Sequence, residues 1–375
     1  MNPLSASLGN AFVKGWPSWH RLRLGNNLRD EEAKLQLPVD MATIMAEAHK
    51  KSQSSGIAAF AGAWVEKSLI TLIYGSNVIE TAGSTLGITT RLCQDIFSGK
   101  PVDAYIDKQD PAYREHVESL AETHRKSDMA NVVRSRREVI GHANALRFMI
   151  DHVILNNEAW SEELILQTHR ILYEGIDDDV VPGKYRTHEV AVCYSSPGDK
   201  KKKKKKKKTS LCMRAAAVPR YMTAMVEHLN HDIMQAEASG QRDPYTLAAR
   251  YHHQFVMIHP FGDGNGRMSR IILYTLLLKY AGHVAPFGGG NDKDDYLAIV
   301  RRAGVVFHRE DMEVDFGQQT CQFEFAKFAL AKSKPGLEQM WAWASAEPED
   351  EFLFRAVDRQ VDGGCCCTSE RHRTL

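Results

Sequence analysis

The chain has 375 residues, 43% of them hydrophobic and 25% charged, ordinary globular usage that excludes fibrous, collagen-like and wholly disordered classes. That length suits two or three compact units, or one large domain with extensions. The formal net charge of +1 conceals an unbroken run of nine lysines, Lys200 through Lys208; without it 39 basic residues face 47 acidic ones, a net charge of −8, which argues against a broad nucleic-acid surface.

Nothing near Met1 resembles the charged and apolar regions of a leader. The opening, through Pro38, mixes Gly, Pro, Asn and Arg without a sustained period and reads as loose. From Met41 to Ser98, Ala- and Leu-rich segments at helical spacing are broken at Gly56, Gly75 and Gly83. Tyr113 to Leu155 predicts one or two long helices, with Val132, Val139, Ile140, Leu146 and Ile150 as apolar positions. Ser161, followed by Glu162 and Glu163, is an N-cap with an acidic first turn for the next helix. Pro182-Gly183 is a turn signal, and β-branched Val190 and Val192 predict a small hairpin over Lys184–Cys193. A polar loop of Ser195 to Asp199 and the lysines follows. The apolar stretches around Leu69–Tyr74 and Ile271–Leu278 fall short of the ~20 residues that span a bilayer. Seven cysteines form no CxxC pair, which points to a reducing compartment. The expectation is a soluble, mainly helical cytoplasmic chain without a transmembrane segment. The lysine run is a candidate nuclear-localisation signal, although its bland reading is a solvated insertion.

The chemistry concentrates between His259 and Arg270, which read His-Pro-Phe-Gly-Asp-Gly-Asn-Gly-Arg-Met-Ser-Arg. Asp243-Pro244 is an N-cap with a proline at the first helical position, and Leu247, Tyr251, Phe255 and Ile258 give that helix a buried face. Pro260 ends it at His259. The next helix, Arg267 to Ala281, is apolar on nearly every side and must be central. A glycine-rich loop opening a buried helix is an anion site, because unpaired N–H groups and the positive dipole end face outward. Arg267 and Arg270 project from one face of its first turn, Asp263 could hold Mg²⁺ between phosphates, and His259 is a base near neutrality.

These residues match the Fic-domain motif HPFx[D/E]GNGRxxR at every defined position. The resemblance extends over residues 70–305, through the Gly183-Lys184-Tyr185-Arg186 turn, the Pro219-Arg220-Tyr221-Met222 helix start and Tyr296-Leu297-Ala298-Ile299. It implies an all-α core with a β-hairpin flap, and transfer of AMP from ATP to a protein Ser, Thr or Tyr hydroxyl. By position, His259 would deprotonate that hydroxyl, Asp263 would hold Mg²⁺, and Phe261 would anchor the loop. Gly264, Asn265 and Gly266 would cradle the β-phosphate, and Arg267 and Arg270 would grip the β/γ end. Lys184, Tyr185, Arg186, Thr187, His188, Glu189 and Val190 would form the target-docking flap. The complete GNGR run disfavours the Doc-type kinase variants.

Ser76-Asn77-Val78-Ile79-Glu80 resembles the family's inhibitory motif [S/T]xxxE[G/N], with Thr81 where Gly or Asn is usual. In the family such a glutamate pairs with the second motif arginine, here Arg270. The implied organisation is an N-terminal extension at 1–65, an inhibitory helix region at 66–110, and a catalytic core at 111–305 with flap 183–193 and lysine loop 195–210. A C-terminal helical segment and Cys-containing tail fill 306–375. The alternatives are an enzyme that removes AMP, with Glu80 orienting water, and a nucleotide- or nucleic-acid-binding module without catalysis. Partners implied are ATP, a protein target and a homodimer, with no stable nucleic-acid binding. Adjacent His252 and His253 point apart and lack metal-ligand spacing, and His169 reads as a packing residue. Residues 291–295 are acidic but lack calcium-loop periodicity, and Cys365–Cys367 could accept palmitate.

Overall fold

The computed structural model describes residues 2–14, 24–51, 53–176, 180–194, 208–239, 243–290, 292–310, 314 and 318–346. Among them the chain forms α1 (Pro3–Lys14), α2 (Arg29–Leu35), α3 (Met41–Lys51), α4 (Ser54–Ile79), α5 (Leu86–Phe97), α6 (Pro111–Glu122), α7 (Met129–Met149) and α8 (Glu162–Leu172). Two short strands follow, β1 (Ala191–Tyr194) and β2 (Lys208–Leu211), then α9 (Val218–Ser239), α10 (Pro244–Ile258), α11 (Asn265–Ala281), α12 (Asp292–Glu310) and α13 (Phe323–Ser345). The fold is mainly helical.

Capping residues start several helices where the sequence places them. Asp243 accepts from the Thr246 N–H at 3.0 Å ahead of α10, and Ser161 accepts from the Leu164 N–H at 3.1 Å ahead of α8, each satisfying a donor the helix itself cannot. Asp110 and Asp128 do the same for α6 and α7. The predicted Tyr113–Leu155 stretch is thus two helices, the second continuing into a π-helical turn at Ile150–Leu155. Every residue of α11 except Gly266 is buried. It packs on α10, α7, α4 and the π-helical turn, so an all-round apolar helix becomes the centre of the core.

Three expectations need correction. The opening is not loose over Pro3–Lys14: Leu4, Leu8 and Phe12 repeat at helical spacing and bury that face of α1 against α4. Neither Gly56 nor Gly75 breaks a helix; α4 runs through both. At Gly75 a β-carbon would stand 2.2 Å from the Phe287 carbonyl oxygen, so the glycine admits a neighbouring backbone. The uninterrupted α4 is also long and apolar enough to cross a membrane by length and composition; here its apolar side is covered by α1, α5, α7 and α11.

The hairpin is corrected as well. Residues 184–190 form no strand; β1 pairs antiparallel with β2, Ala191 opposite Leu211 and Tyr194 opposite Lys208. The physical reason is that the Arg186 N–H is spent on the Pro260 carbonyl at 2.9 Å, which ties this stretch to the loop between α10 and α11. Residues 195–207, with most of the lysine run, and Cys365–Cys367 lie outside the described residues.

Candidate active site

The loop from His259 to Gly264 is held by its own side chains. His259, which closes α10, is left-handed at φ 52°, and Gly264 is left-handed at φ 79°. A β-carbon at Gly264 would lie 2.6 Å from the Tyr173 ring, so glycine serves both conformation and space there. Asn265 clamps the turn from both ends: its Oδ1 accepts from the Phe261 N–H and its Nδ2 donates to the Phe261 carbonyl, each at 2.9 Å. Phe261 is fully buried and stacks on His169 at 3.7 Å between ring centroids. Anchoring of the loop by Phe261 is therefore observed.

An open cleft brings together Ile79, Glu80, His259, Asp263, Asn265, Gly266, Arg270 and Tyr296. Asp263 is exposed, with Oδ1 accepting from the Gly264 N–H at 2.7 Å and Oδ2 accepting from the Tyr173 hydroxyl. Arg267 is 5% exposed and donates to the Tyr173 hydroxyl at 3.0 Å, while its Nε and Nη1 have no hydrogen-bond partner among the described residues. Burial depresses the His259 imidazole below the usual histidine value, with the Arg186 charge adding to the effect and the Val256 carbonyl and nearby carboxylates opposing it. A neutral imidazole can accept a proton.

Glu80 closes the site. Its carboxylate lies 2.5 Å from Arg270 Nη2, and a β-carbon at Gly266 would fall 2.2 Å from Glu80 Oε1. The carboxylate thus lies over the bare first turn of α11, at the positive end of that helix and where an incoming anion would sit. Arg270, 1% exposed, also donates from Nε to the Ser76 hydroxyl at 2.7 Å, from Nη2 to the Ser76 carbonyl at 3.1 Å and from Nη1 to the Tyr296 hydroxyl at 3.3 Å. Burial is the strongest single influence and opposes the Arg270 charge, but the Glu80 carboxylate together with Tyr296 and Tyr274 holds the guanidinium above its ordinary value. Both Ser76 and Glu80 therefore meet the arginine that the motif spacing designates.

Thr81 stands where Gly or Asn is usual. It sits at φ 56°, just past the end of α4, a left-handed position that a β-branched residue adopts only under constraint. The backbone bonds that close α4, from the Thr81 N–H to the Val78 carbonyl at 3.1 Å and from the Ala82 N–H to the Asn77 carbonyl at 2.9 Å, hold it there, and Lys293 Nζ donates to the same Val78 carbonyl at 3.1 Å and to Thr81 Oγ1 at 3.3 Å. A cation at a helix C-terminus is favourably placed.

Arg186 is not a docking side chain. It is 5% exposed and donates to the carbonyls of His259 at 2.7 Å, His188 at 2.8 Å, Ile258 at 3.4 Å and Met213. Replacing it with alanine strips a charged donor from buried carbonyls, and we expect a loss of roughly 3 kcal/mol in unfolding free energy, measured by urea denaturation. Tyr185, half-buried, donates its hydroxyl to Glu162 at 2.8 Å. Lys184, Thr187, His188 and Glu189 are exposed and Val190 is half-buried.

Two residues outside the motif hold the loop: Tyr173, which the sequence does not single out, and His169, which packs as its sequence reading expects. Tyr173 bridges Asp263 and Arg267, and the Arg267 guanidinium lies 5.1 Å above its ring. His169 accepts from the Gly183 N–H at Nδ1 and donates from Nε2 to the Asp263 carbonyl, which assigns its tautomer. Burial pushes it down to about 4 and keeps it neutral. The available signal was their spacing: i and i+4 on one helical run, stacked at 5.0 Å. His252 and His253 do point apart, toward Tyr296 and Phe307 respectively.

Comparison with known proteins places this geometry in context. Residues 159–277 match the family model described as Fic/DOC family. A protein adenylyltransferase fic-1 of Caenorhabditis briggsae is 32% identical over 149 residues, covering 39% of this chain and 25% of that protein. A Fido domain-containing protein of Dictyostelium discoideum is 36% identical over 97 residues, 26% of this chain and 64% of that protein. The chain therefore spans less than two thirds of the length of these curated relatives. A Fic domain-containing signaling protein of Bacteroides thetaiotaomicron shares the fold at TM-score 0.56 and 18% identity, over 87% of this chain and 99% of that one.

Proposed function

We propose, from the match of residues 159–277 to the Fic/DOC family model, that the protein transfers AMP from ATP to a protein hydroxyl, restrained by its own Glu80. The observation that carries this reading is one cleft lined at once by a neutral imidazole, an exposed carboxylate, a bare helix N-terminus and an arginine already gripping an anion. His259 takes the proton from the target hydroxyl as its oxygen bonds to the α-phosphorus. The bond from that phosphorus to the bridging oxygen breaks, and pyrophosphate leaves with the electron pair. Gly264, Asn265 and Gly266 present the N-terminus of α11 to the β-phosphate, and Arg267 and Arg270 serve the β/γ end.

The residues fit Mg²⁺. Asp263 is exposed, its carboxylate is oriented by Tyr173 and the Gly264 N–H, and Mg²⁺ is ordinarily held by one or two carboxylates together with phosphates. When bound, the ion would neutralise charge on the phosphate oxygens. The exposed residues Thr187, His188 and Glu189 stand beside the loop as the docking stretch for an extended target segment.

Glu80 acts as the brake because it stands in for a phosphate. Its carboxylate lies at the C-terminal end of its own helix, an unfavourable place for negative charge, and Arg270 with the N-terminus of α11 holds it there. An incoming γ-phosphate would compete for the same guanidinium.

The test is labelled AMP exchange with wild type and variants. Label gain by a protein substrate from ATP supports transfer. Label loss from an AMP-modified protein, without gain, would instead favour removal with Glu80 orienting water. The depressed His259 value adds a pH prediction. The neutral, base-competent form persists to lower pH, so the transfer rate should hold as pH falls through the ordinary histidine midpoint of ~6.5 and decline only below it. A rate that halves at or above that midpoint would count against His259 as the base.

A further inference from the structure

The turn that carries Glu80 is the end of a helix, and a helix end leaves carbonyls without partners of its own. At the end of α4 those partners come from several directions. The Ser76 carbonyl accepts from Arg270 Nη2 at 3.1 Å, and the Asn77 carbonyl accepts from the Ala82 N–H at 2.9 Å. The Val78 carbonyl accepts from the Thr81 N–H and from Lys293 Nζ, each at 3.1 Å. Since Lys293 also donates to Thr81 Oγ1 at 3.3 Å, one ammonium holds the residues on either side of Ile79 and Glu80.

Lys293 comes from the first turn of α12, where a cation opposes the dipole of its own helix, whereas at the end of α4 the same charge is favourably placed. Its neighbour Asp292 pairs with Lys332 at 2.6 Å, which ties this end of α12 to α13. One turn further on, α12 supplies Tyr296, Leu297 and Val300 to the cleft, and the Tyr296 hydroxyl accepts from Arg270 Nη1 at 3.3 Å. The helix that forms this wall of the cleft therefore also grips the turn from which Glu80 projects.

We propose that Lys293 is a positioning residue for the brake, holding the 78–81 turn so that Glu80 stays on Arg270. The inference rests on the reading of Glu80 as inhibitory, and adds to it a residue outside both motifs. Two effects act in the same direction. The hydrogen bonds to Val78 and Thr81 fix the turn, and the positive charge offsets the cost of a carboxylate at the negative end of α4. Loss of the ammonium favours withdrawal of Glu80 and frees Arg270 for phosphate. The other side of the turn is tethered to α7, where Glu138 accepts from the Gly83 N–H at 2.7 Å and Ser135 Oγ donates to the Gly83 carbonyl at 2.8 Å. Replacing Lys293 therefore loosens the turn without detaching it.

The test places Lys293→Ala in the full chain, once with Glu80 present and once with Glu80→Gly. AMP incorporation from ATP with Mg²⁺ is measured beside the calorimetric affinity for α,β-methylene-ATP, which has no cleavable bridging oxygen at the α-phosphorus. With Glu80 present, Lys293→Ala should raise both quantities about fivefold, the scale of a cation at a helix C-terminus. With Glu80→Gly, the same change should alter neither. A residue that merely supports the fold would lower activity in both backgrounds, and one that touches nucleotide would change affinity in both; either result would overturn the proposal. So would the absence of any gain from Lys293→Ala when Glu80→Gly itself gains, an outcome that leaves the brake standing. Should Glu80→Gly gain neither quantity, the brake and the role of Lys293 fall together. Incorporation absent from every variant, with the affinity pattern as expected, would remove the transferase reading and retain Lys293 as the residue that holds Glu80 in place.

Discussion

Glu80→Gly is expected to raise AMP incorporation by a hundredfold or more, whereas Arg270→Ala leaves it at or below the wild-type level. Both changes remove the ion pair at 2.5 Å, so a pair that merely held α4 to α11 would make the two variants equally defective. Here the roles differ. Without Glu80, the first turn of α11 above Gly266 opens and Arg270 is free to take phosphate, fixing the α-phosphorus for attack; positioning of this kind is worth several kcal/mol of a barrier. Without Arg270 the phosphate ligand itself is gone, along with the donors that Ser76 and Tyr296 receive from it. Incorporation is followed by intact mass, with circular dichroism on each variant to confirm folding. Equal activity in two folded variants would remove Glu80 from the role of brake.

His259→Ala, made in the Glu80→Gly background, should lower AMP transfer by ~10²–10⁴-fold, the usual contribution of a general base, with little change in ATP affinity. The separation follows from the geometry: the phosphate side is built from α11, Arg267 and Arg270, while the imidazole stands at the end of α10, its Nδ1 at 3.3 Å from the Val256 carbonyl. Single-turnover transfer and equilibrium ATP binding read the two effects independently. A parallel loss of ATP affinity would mean that His259 holds nucleotide rather than activating the hydroxyl.

What was legible in the sequence is what local chemistry dictates. Asp243-Pro244 and the 247, 251, 255, 258 repeat determine α10, Pro260 ends it, and the glycines prepare α11, so the loop could be assembled from neighbours in sequence. Ser76 and Glu80 were readable because a helix keeps residues four apart on one face. The rest required contacts distant in sequence. Tyr173 reaches Asp263 across 90 positions, and its four-residue spacing from His169 does not by itself show that the pair meets this loop. Arg186 looked like an exposed turn residue, yet four carbonyls draw it inward. Gly75 looked like a helix break, because only the approach of Phe287 reveals why a helix would tolerate it. Thr81, the departure from the motif, meets Lys293 from more than two hundred residues away, a contact no local pattern gives.

The central claim is that the cleft transfers AMP once Glu80 is removed, and position-specific labelling of ATP tests it most directly. Incubated with Mg²⁺ and ATP labelled at the α-phosphate, Glu80→Gly should become covalently labelled, and with ATP labelled at the γ-phosphate it should not. Label arriving from the γ-position, or from neither, would contradict the account.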